Sequence, residues 1–359
     1  MSLPLFILYP DNRFIISRNK TLPRFFKAGF LFLIISLLLN ACATSPSASR
    51  LSITAMLRDL PVLPDHALLT DVPFFSQKEY QCGPAALAMM MTYRQVVVSP
   101  DDLVQQIYLP ERHGTLTPEI VAAVRKYEFV PYVFTTGLHD LLIEVAAGNP
   151  VLVMQNLGLS WYPVWHYAVV IGYDLNQQTL VLRSGLEPER ITTLRNFENT
   201  WKRANHWAMV IPARDQLPAT VNVLTWLQDA EDLAATGHYD AAHNSYEIAS
   251  QKWPRDDLVW FALGNSFYQK QNMSDAELSY RQALEIKRNN PDVLNNLAYA
   301  LSAQGCRNEA LQAATCALQL SPGNSNVEQT IMDIDKTLSL MQSPAHCANI
   351  RDALSVSQQ

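Results

Sequence analysis

The alternation of apolar and polar positions changes character several times along this chain, and each change predicts an element. Residues 28–39 (AGFLFLIISLLL) form an uncharged apolar run behind the basic residues Arg13, Arg18, Lys20, Arg24 and Lys27. At 12 residues the run is shorter than the roughly 20 that a membrane span needs. It reads as the core of a secretory signal over 1–41, with an uncleaved membrane anchor as the alternative. Residues 42–70 are small, polar and proline-punctuated, with no sustained period, and read as a tether. DVPFFSQ (71–77) is extended, and QCGPAALAMMM (81–91) then opens a helix. Gly83-Pro84 makes the tight entry, and Ala85 to Met91 supply a strong helix-forming run. SPDDLVQQIYL (99–109) and TPEIVAAVRKY (117–127) predict two short helices with Ser99 and Thr117 as N-caps, and Asp102 stands three residues after Ser99.

Beyond them the period shortens to that of strands, at 130–136, 149–157, 166–174, 179–185 and 206–213. Helices first and strands after predict an α+β domain over 71–215, without the regular alternation of a doubly wound sheet. After Leu217-Pro218 the period becomes helical again. Residues 218–342 repeat every 34 residues, as 223–256, 257–290 and 291–324, with a capping helix at 325–341 and a tail at 343–359. Small residues recur at repeat positions 8 (Ala230, Gly264, Ala298), 20 (Ala242, Ala276, Ala310) and 27 (Ala249, Ala283, Ala317), where paired helices must approach closely.

Charge narrows the functions open to the chain. The formal net charge of the 359 residues is −6, and it becomes −10 once residues 1–41, with their five basic and one acidic residues, are removed. Such a surface repels nucleic-acid phosphates and anionic lipid, and no basic stripe opposes that reading. No HExxH or paired CxxC spacing suggests a metal site, so neither metal nor organic cofactor is expected.

The candidate chemistry centres on Cys82 at the mouth of its helix, where unpaired N–H groups and the macrodipole favour a thiolate. A cysteine nucleophile needs an imidazole in reach to take its proton and later protonate the leaving amine. Among eight histidines, His166 opens a strand flanked by aromatic residues, and His206, which opens another, is its competitor. HYAVVIGYD (166–174) and TLVLRSG (179–185) form a hairpin about the polar turn 174–178. Asp174 lies eight residues along its strand from His166, roughly 26 Å away at 3.3 Å per residue. The return strand brings Ser184–Leu186 back beside His166, and Glu187 is the nearest acid in sequence.

VPFFSQKEYQCGPAALAM and HYAVVIGYD, in that order, resemble the papain-like cysteine peptidases, and among them the bacteriocin-processing peptidases of family 39. The resemblance covers about residues 71–213. It implies Cys82 as nucleophile, His166 as general base and acid, and Gln77 as an oxyanion-hole donor beside the Cys82 backbone N–H. Gln77 precedes the cysteine by five residues where the family has six, and Gln81 is adjacent. The third member of the triad, Asp or Asn in the family, matches Ser184, which has no charge to stabilise an imidazolium. Ser184 and Glu187 both stay open for that role.

The 34-residue repeats resemble tetratricopeptide repeats. In that arrangement Cys306 falls at the turn between the two helices of the third repeat, and the cap helix returns Cys347 towards it, which implies a Cys306–Cys347 disulfide and leaves Cys316 a buried thiol. LNAC (39–42) resembles a bacterial lipobox. That implies lipidation at Cys42, with Ala43 directing the chain to the periplasmic side of the outer membrane. The expected function is a lipid-anchored envelope cysteine peptidase, hydrolysing a peptide bond through a Cys-His thioester, with repeats that bind a protein partner or substrate. An acyl or amide transferase on the same fold and a catalytically decayed repeat scaffold are the alternatives.

Overall fold

The computed structural model describes residues 63–337. The expected signal, Cys42, Cys347, the tail and most of the tether lie outside them. The first region holds a seven-stranded antiparallel sheet of β1 (His66–Leu68), β2 (Tyr132–Phe134), β3 (Val151–Asn156), β4 (Trp165–Asp174), β5 (Thr179–Ser184), β6 (Glu187–Thr193) and β7 (Ala208–Val210). Their order is β2-β7-β3-β4-β5-β6. β1 continues the β3 edge of β4, pairing at Gly172 to Asp174 where β3 has ended.

Five helices cover the sheet: α1 (Cys82–Tyr93), α2 (Pro100–Ile107), α3 (Thr117–Lys126), α4 (Leu138–Ala146) and α5 (Leu194–Lys202). Side chains alternate along a strand, so each strand feeds two cores. Leu152, Tyr167, Val169, Ile171 and Met209 face α1, α2 and α3. Val151, Val153, Ala168, Val170, Leu180 and Leu182 face α4 and α5. Both faces are covered, so α1 is apolar all round, with Gly83 to Met91 buried without a break.

Four expectations are corrected. Helices do not all precede the strands: α4 and α5 interrupt them. Their apolar residues, Leu138, Leu141, Leu142 and Val145 in one and Leu194, Phe197 and Trp201 in the other, sit at helical spacing against the sheet. Three residues of the expected tether, 66–68, form β1, and the Leu69 amide goes on to bond the Ile171 carbonyl. The segment after Gly185 is also a strand, β6, which adds an edge to β5. Thr117 is the first residue of α3 rather than its cap, because the Ile120 amide bonds the Leu116 carbonyl. Ser99 does cap α2, in a reciprocal box with Asp102.

The second region is a helical array: α6 (Val223–Ala235), α7 (Tyr239–Lys252), α8 (Asp257–Gln269), α9 (Met273–Ile286), α10 (Pro291–Ala303), α11 (Arg307–Leu320) and α12 (Ser325–Thr337). First helices start at Val223, Asp257, Pro291 and Ser325, a constant step of 34 residues. Ala230, Ala242, Ala249, Ala276, Ala283, Ala298, Ala310 and Ala317 are all buried. At Gly264 a Cβ would come within 2.5 Å of the Tyr280 ring, so only glycine lets α8 and α9 close on that tyrosine. Cys306 is buried, stands at the start of α11 and is disulfide-bonded, whereas Cys316 is a free thiol. No helix of the described residues is long and apolar enough to cross a membrane.

The two regions share one core. The cluster on the α4–α5 face continues without a gap into Trp226, Leu233, Ala242 and Tyr246 of the first repeat. Buried Glu144 of α4 fixes the joint, accepting from the amides of Ala219 and Thr220, the Thr220 hydroxyl and the Asn149 side chain. Beside it, Arg125 of α3 pairs with Asp232 of α6 at 2.6 Å.

Candidate active site

A turn whose Gln81 amide bonds the Lys78 carbonyl delivers Cys82 as the first residue of α1. Tyr80, in that turn, takes a left-handed φ of 60°, a conformation rare for a bulky side chain. The glycine of Cys-Gly-Pro has a reason that the sequence did not disclose. A Cβ on Gly83 would lie 2.7 Å from the Thr115 Cβ, so the start of α1 is pressed against the loop before α3.

The site forms where two strands part. The β4–β5 ladder runs from Asp174–Thr179 to Val169–Arg183 and stops there. Past that point the Gly185 carbonyl accepts instead from the Gln77 amide, at 3.3 Å. On β4 the freed position is Tyr167, whose backbone amide faces the Cys82 sulfur closely enough to favour its anion. The approach to Cys82, residues 77–82, thus fills the opening between β4 and β5. Strand alternation sends the Tyr167 side chain to the α1 face, together with Cys82, and the His166 side chain to the α5 face. The amide that serves the sulfur and the imidazole thus belong to adjacent residues of β4, at the edge of one opening. On its own face, His166 shares a hydrogen bond of 2.8 Å between Nε2 and the Ser184 Oγ.

Burial governs the charge of both groups. It pushes the Cys82 thiol above its ordinary value, while the amides of Tyr167, Gly83 and Cys82 itself pull the other way. Burial, followed by the Arg190 guanidinium, holds the His166 imidazole down at about 4. At neutral pH the resting pair is thiol and neutral imidazole. Among the described residues, no carboxylate lines the cavity on the His166 side.

The other sequence candidates fall elsewhere. His206 is bound to Glu198 at 2.8 Å and stands edge-on to Trp201, which anchors it to α5. Asp174, at the far end of β4, accepts from the Gln177 amide in the hairpin turn. Glu187 is exposed and meets Arg190 at 3.4 Å. Gln77 is brought to the site through its backbone, beside Gly185, and is half-buried. Sequence reasoning missed Tyr167, Arg190 and Thr115. The first was within reach of the strand alternation; the other two depend on register and on loop packing.

Comparison with known proteins agrees with this architecture. Residues 69–209 match the Peptidase_C39 like family and residues 227–293 match the tetratricopeptide repeat. A putative C39-like peptidase from Bacillus anthracis is 20% identical, with 42% of this chain and 99% of that chain covered, at a TM-score of 0.36. The second TPR domain of the human RPAP3 protein, in complex with HSP70 peptide SGPTIEEVD, is 19% identical, with 32% of this chain and 94% of that chain covered, at a TM-score of 0.30. MamA is 17% identical over 32% of this chain and 67% of that chain, at a TM-score of 0.31. No curated protein matches the chain. Residues 69–209 are thus a Peptidase_C39-like domain, and the helices that follow it are tetratricopeptide repeats.

Proposed function

We propose that the chain is a cysteine peptidase that hydrolyses a peptide bond through a thioester on Cys82. The observation that carries this reading is the opening between β4 and β5, where the Cys82 sulfur meets the Tyr167 amide while the adjacent His166 is held by Ser184. With Nε2 engaged by Ser184, Nδ1 is the nitrogen left to take the thiol proton. His166 then acts as a general base during attack, because its lowered pKa disfavours a preformed ion pair. The oxyanion would take the Cys82 amide at the head of α1, with Gln77 as second donor. Ser184 orients the imidazole.

A polypeptide substrate suits the rim. Exposed apolar residues stand within two positions of each member in sequence: Tyr80 before Cys82, Trp165 before His166 and Leu186, 75% exposed, after Ser184. The uncharged hairpin 157–165 adds Trp161, 80% exposed, and Tyr162. The repeats are a second surface for a protein or peptide partner. Signal, lipobox and Ala43 support a chain anchored through Cys42 on the periplasmic side of a bacterial outer membrane; globomycin-sensitive processing in cells would test that part.

The decisive experiment offers the protein an activated peptide ester and follows the mass of Cys82. An acyl adduct that turns over, is absent in Cys82→Ala and forms at least a hundredfold more slowly in His166→Ala supports the peptidase. The neutral resting pair and the uncharged Ser184 favour one competing reading, a decayed site on a repeat-bearing scaffold. Acylation no faster than that of an exposed thiol, indifferent to His166, would establish that reading instead.

A further inference from the structure

For Nδ1 of His166 to serve as a base, Nε2 must carry the ring proton and donate it to the Ser184 Oγ. The Ser184 hydroxyl then has a proton of its own to pass on. It faces a cavity of about 170 Å³ on the α5 side of the sheet. The walls that matter are Arg190 and Thr192 of β6, Asn196 and Thr200 of α5, and Gln155 of β3. Gln155 already donates to Thr200, at 2.6 Å, and Thr200 to the Phe197 carbonyl, at 2.8 Å. Arg190 is the cation of this set. It is half exposed, and its contact with Glu187, at 3.4 Å, is long for a charge-assisted bond. The cavity therefore combines a guanidinium, a hydroxyl in need of an acceptor, and amide and hydroxyl walls, with no carboxylate among its described lining residues. At roughly 30 Å³ per water molecule it has room for a small anion with water beside it.

We propose that this cavity is a carboxylate-binding site and that its occupant supplies the negative charge that Ser184 lacks. The proposal rests on the peptidase reading for its purpose, but not for its detection. A planar carboxylate takes two parallel N–H bonds from Arg190 on one side and the Ser184 hydroxyl on the other. It cancels the guanidinium's repulsion of His166 and favours the imidazolium through Ser184. Only a proton moves, from the Cys82 sulfur to Nδ1, which leaves a thiolate–imidazolium pair. A free carboxylate anion or an acidic side chain of the substrate presents the same group.

The test titrates the imidazole of His166 by NMR in the full chain, with sodium acetate against sodium chloride at equal ionic strength. Acetate is expected to raise the His166 pKa by about one unit, saturably, and to leave it unmoved in Arg190→Gln. Iodoacetamide labelling of Cys82 at pH 6 should accelerate about tenfold under the same conditions. A peptide substrate with one acidic residue should remove the acetate dependence, whereas its amide counterpart should not, if the substrate is the source. Acetate and chloride giving the same titration, or an acetate effect that survives Arg190→Gln, overturns the site. An acetate-independent pKa that falls in Glu187→Gln also overturns it, because the charge then comes from the chain itself. A positive titration together with an unreactive Cys82 would instead keep the site and sink the peptidase.

Discussion

The repeats and the sheet domain are built at different ranges in sequence. In the array each helix packs on the one before it, and the same small residues return every 34 positions. In the sheet domain the contacts that make the site join distant segments: Gln77 with Gly185, Arg183 with the Val72 carbonyl, Cys82 with Tyr167. Near-neighbour packing yields a regular solid with few special positions. Long-range closure yields an opening where the β4–β5 ladder stops, and Cys82, His166 and Ser184 gather there. Arrays tolerate drift in their repeats; an opening between strands requires register.

Five substitutions probe this contrast, the strongest first. Cys82→Ala should abolish peptide-ester acylation altogether, while the array variant Gly264→Ala leaves its rate intact; loss of acylation in both would make the two regions chemically inseparable. Trp226, buried with its indole N–H on the Ser245 carbonyl, belongs to the shared core. Its replacement by Ala should cost about 3–5 kcal/mol and lower a single cooperative melting transition. Two resolved transitions would show that the sheet and the array fold apart.

Next come two groups that titrate in opposite senses. His166 has its folded pKa depressed from 6.5 to about 4. Its contribution is complete above pH 6.5 and is lost as pH falls towards 4, by up to about 3 kcal/mol. Asp229, at the joint between the regions, has its carboxyl raised by burial to about 7. Arg125 opposes that rise, and Asp232 adds to it. Its contribution is present at low pH and is lost as pH rises from about 4 to 7. Denaturant melts from pH 4 to 8 should therefore show the acid-side loss disappear in His166→Gln. Asp229→Asn should gain about 1–3 kcal/mol at pH 8, and unchanged slopes in either variant would refute the assignment. The smallest effect is that of Gly264→Ala. It should destabilise by about 1–3 kcal/mol through overpacking against Tyr280, measured by urea melts, with no effect at the site.

Much of this plan was legible in the residues, and what was not shares a cause. The 34-residue step needed only counting. Cys82 at a helix start and Ser184 returned beside His166 followed from a proline entry and a polar turn, which are local signals. Helices α4 and α5 carry ordinary helical spacing but are short, and strand-rich neighbours masked them. β1 is three residues long and exists because β4 outruns β3. The need for Gly83, the Tyr167 amide at the sulfur and the cavity around Arg190 all arise from the opening between β4 and β5. Which ladder stops, and where, depends on pairing partners about a hundred residues apart, and no periodicity along the chain encodes it.

The shared core also sets a direction for growth. The first repeat is welded to the sheet through Trp226, Leu233 and Tyr246, so its helices have no freedom to be exchanged or duplicated. The array lengthens only from its distal side, where a further 34-residue unit between Leu320 and Ser325 meets a helix end and a turn. Each such insertion extends the reach of the repeats while the distance from α6 to Cys82 stays fixed. A lineage carrying this architecture can thus lengthen its array without displacing the helix that carries Cys82.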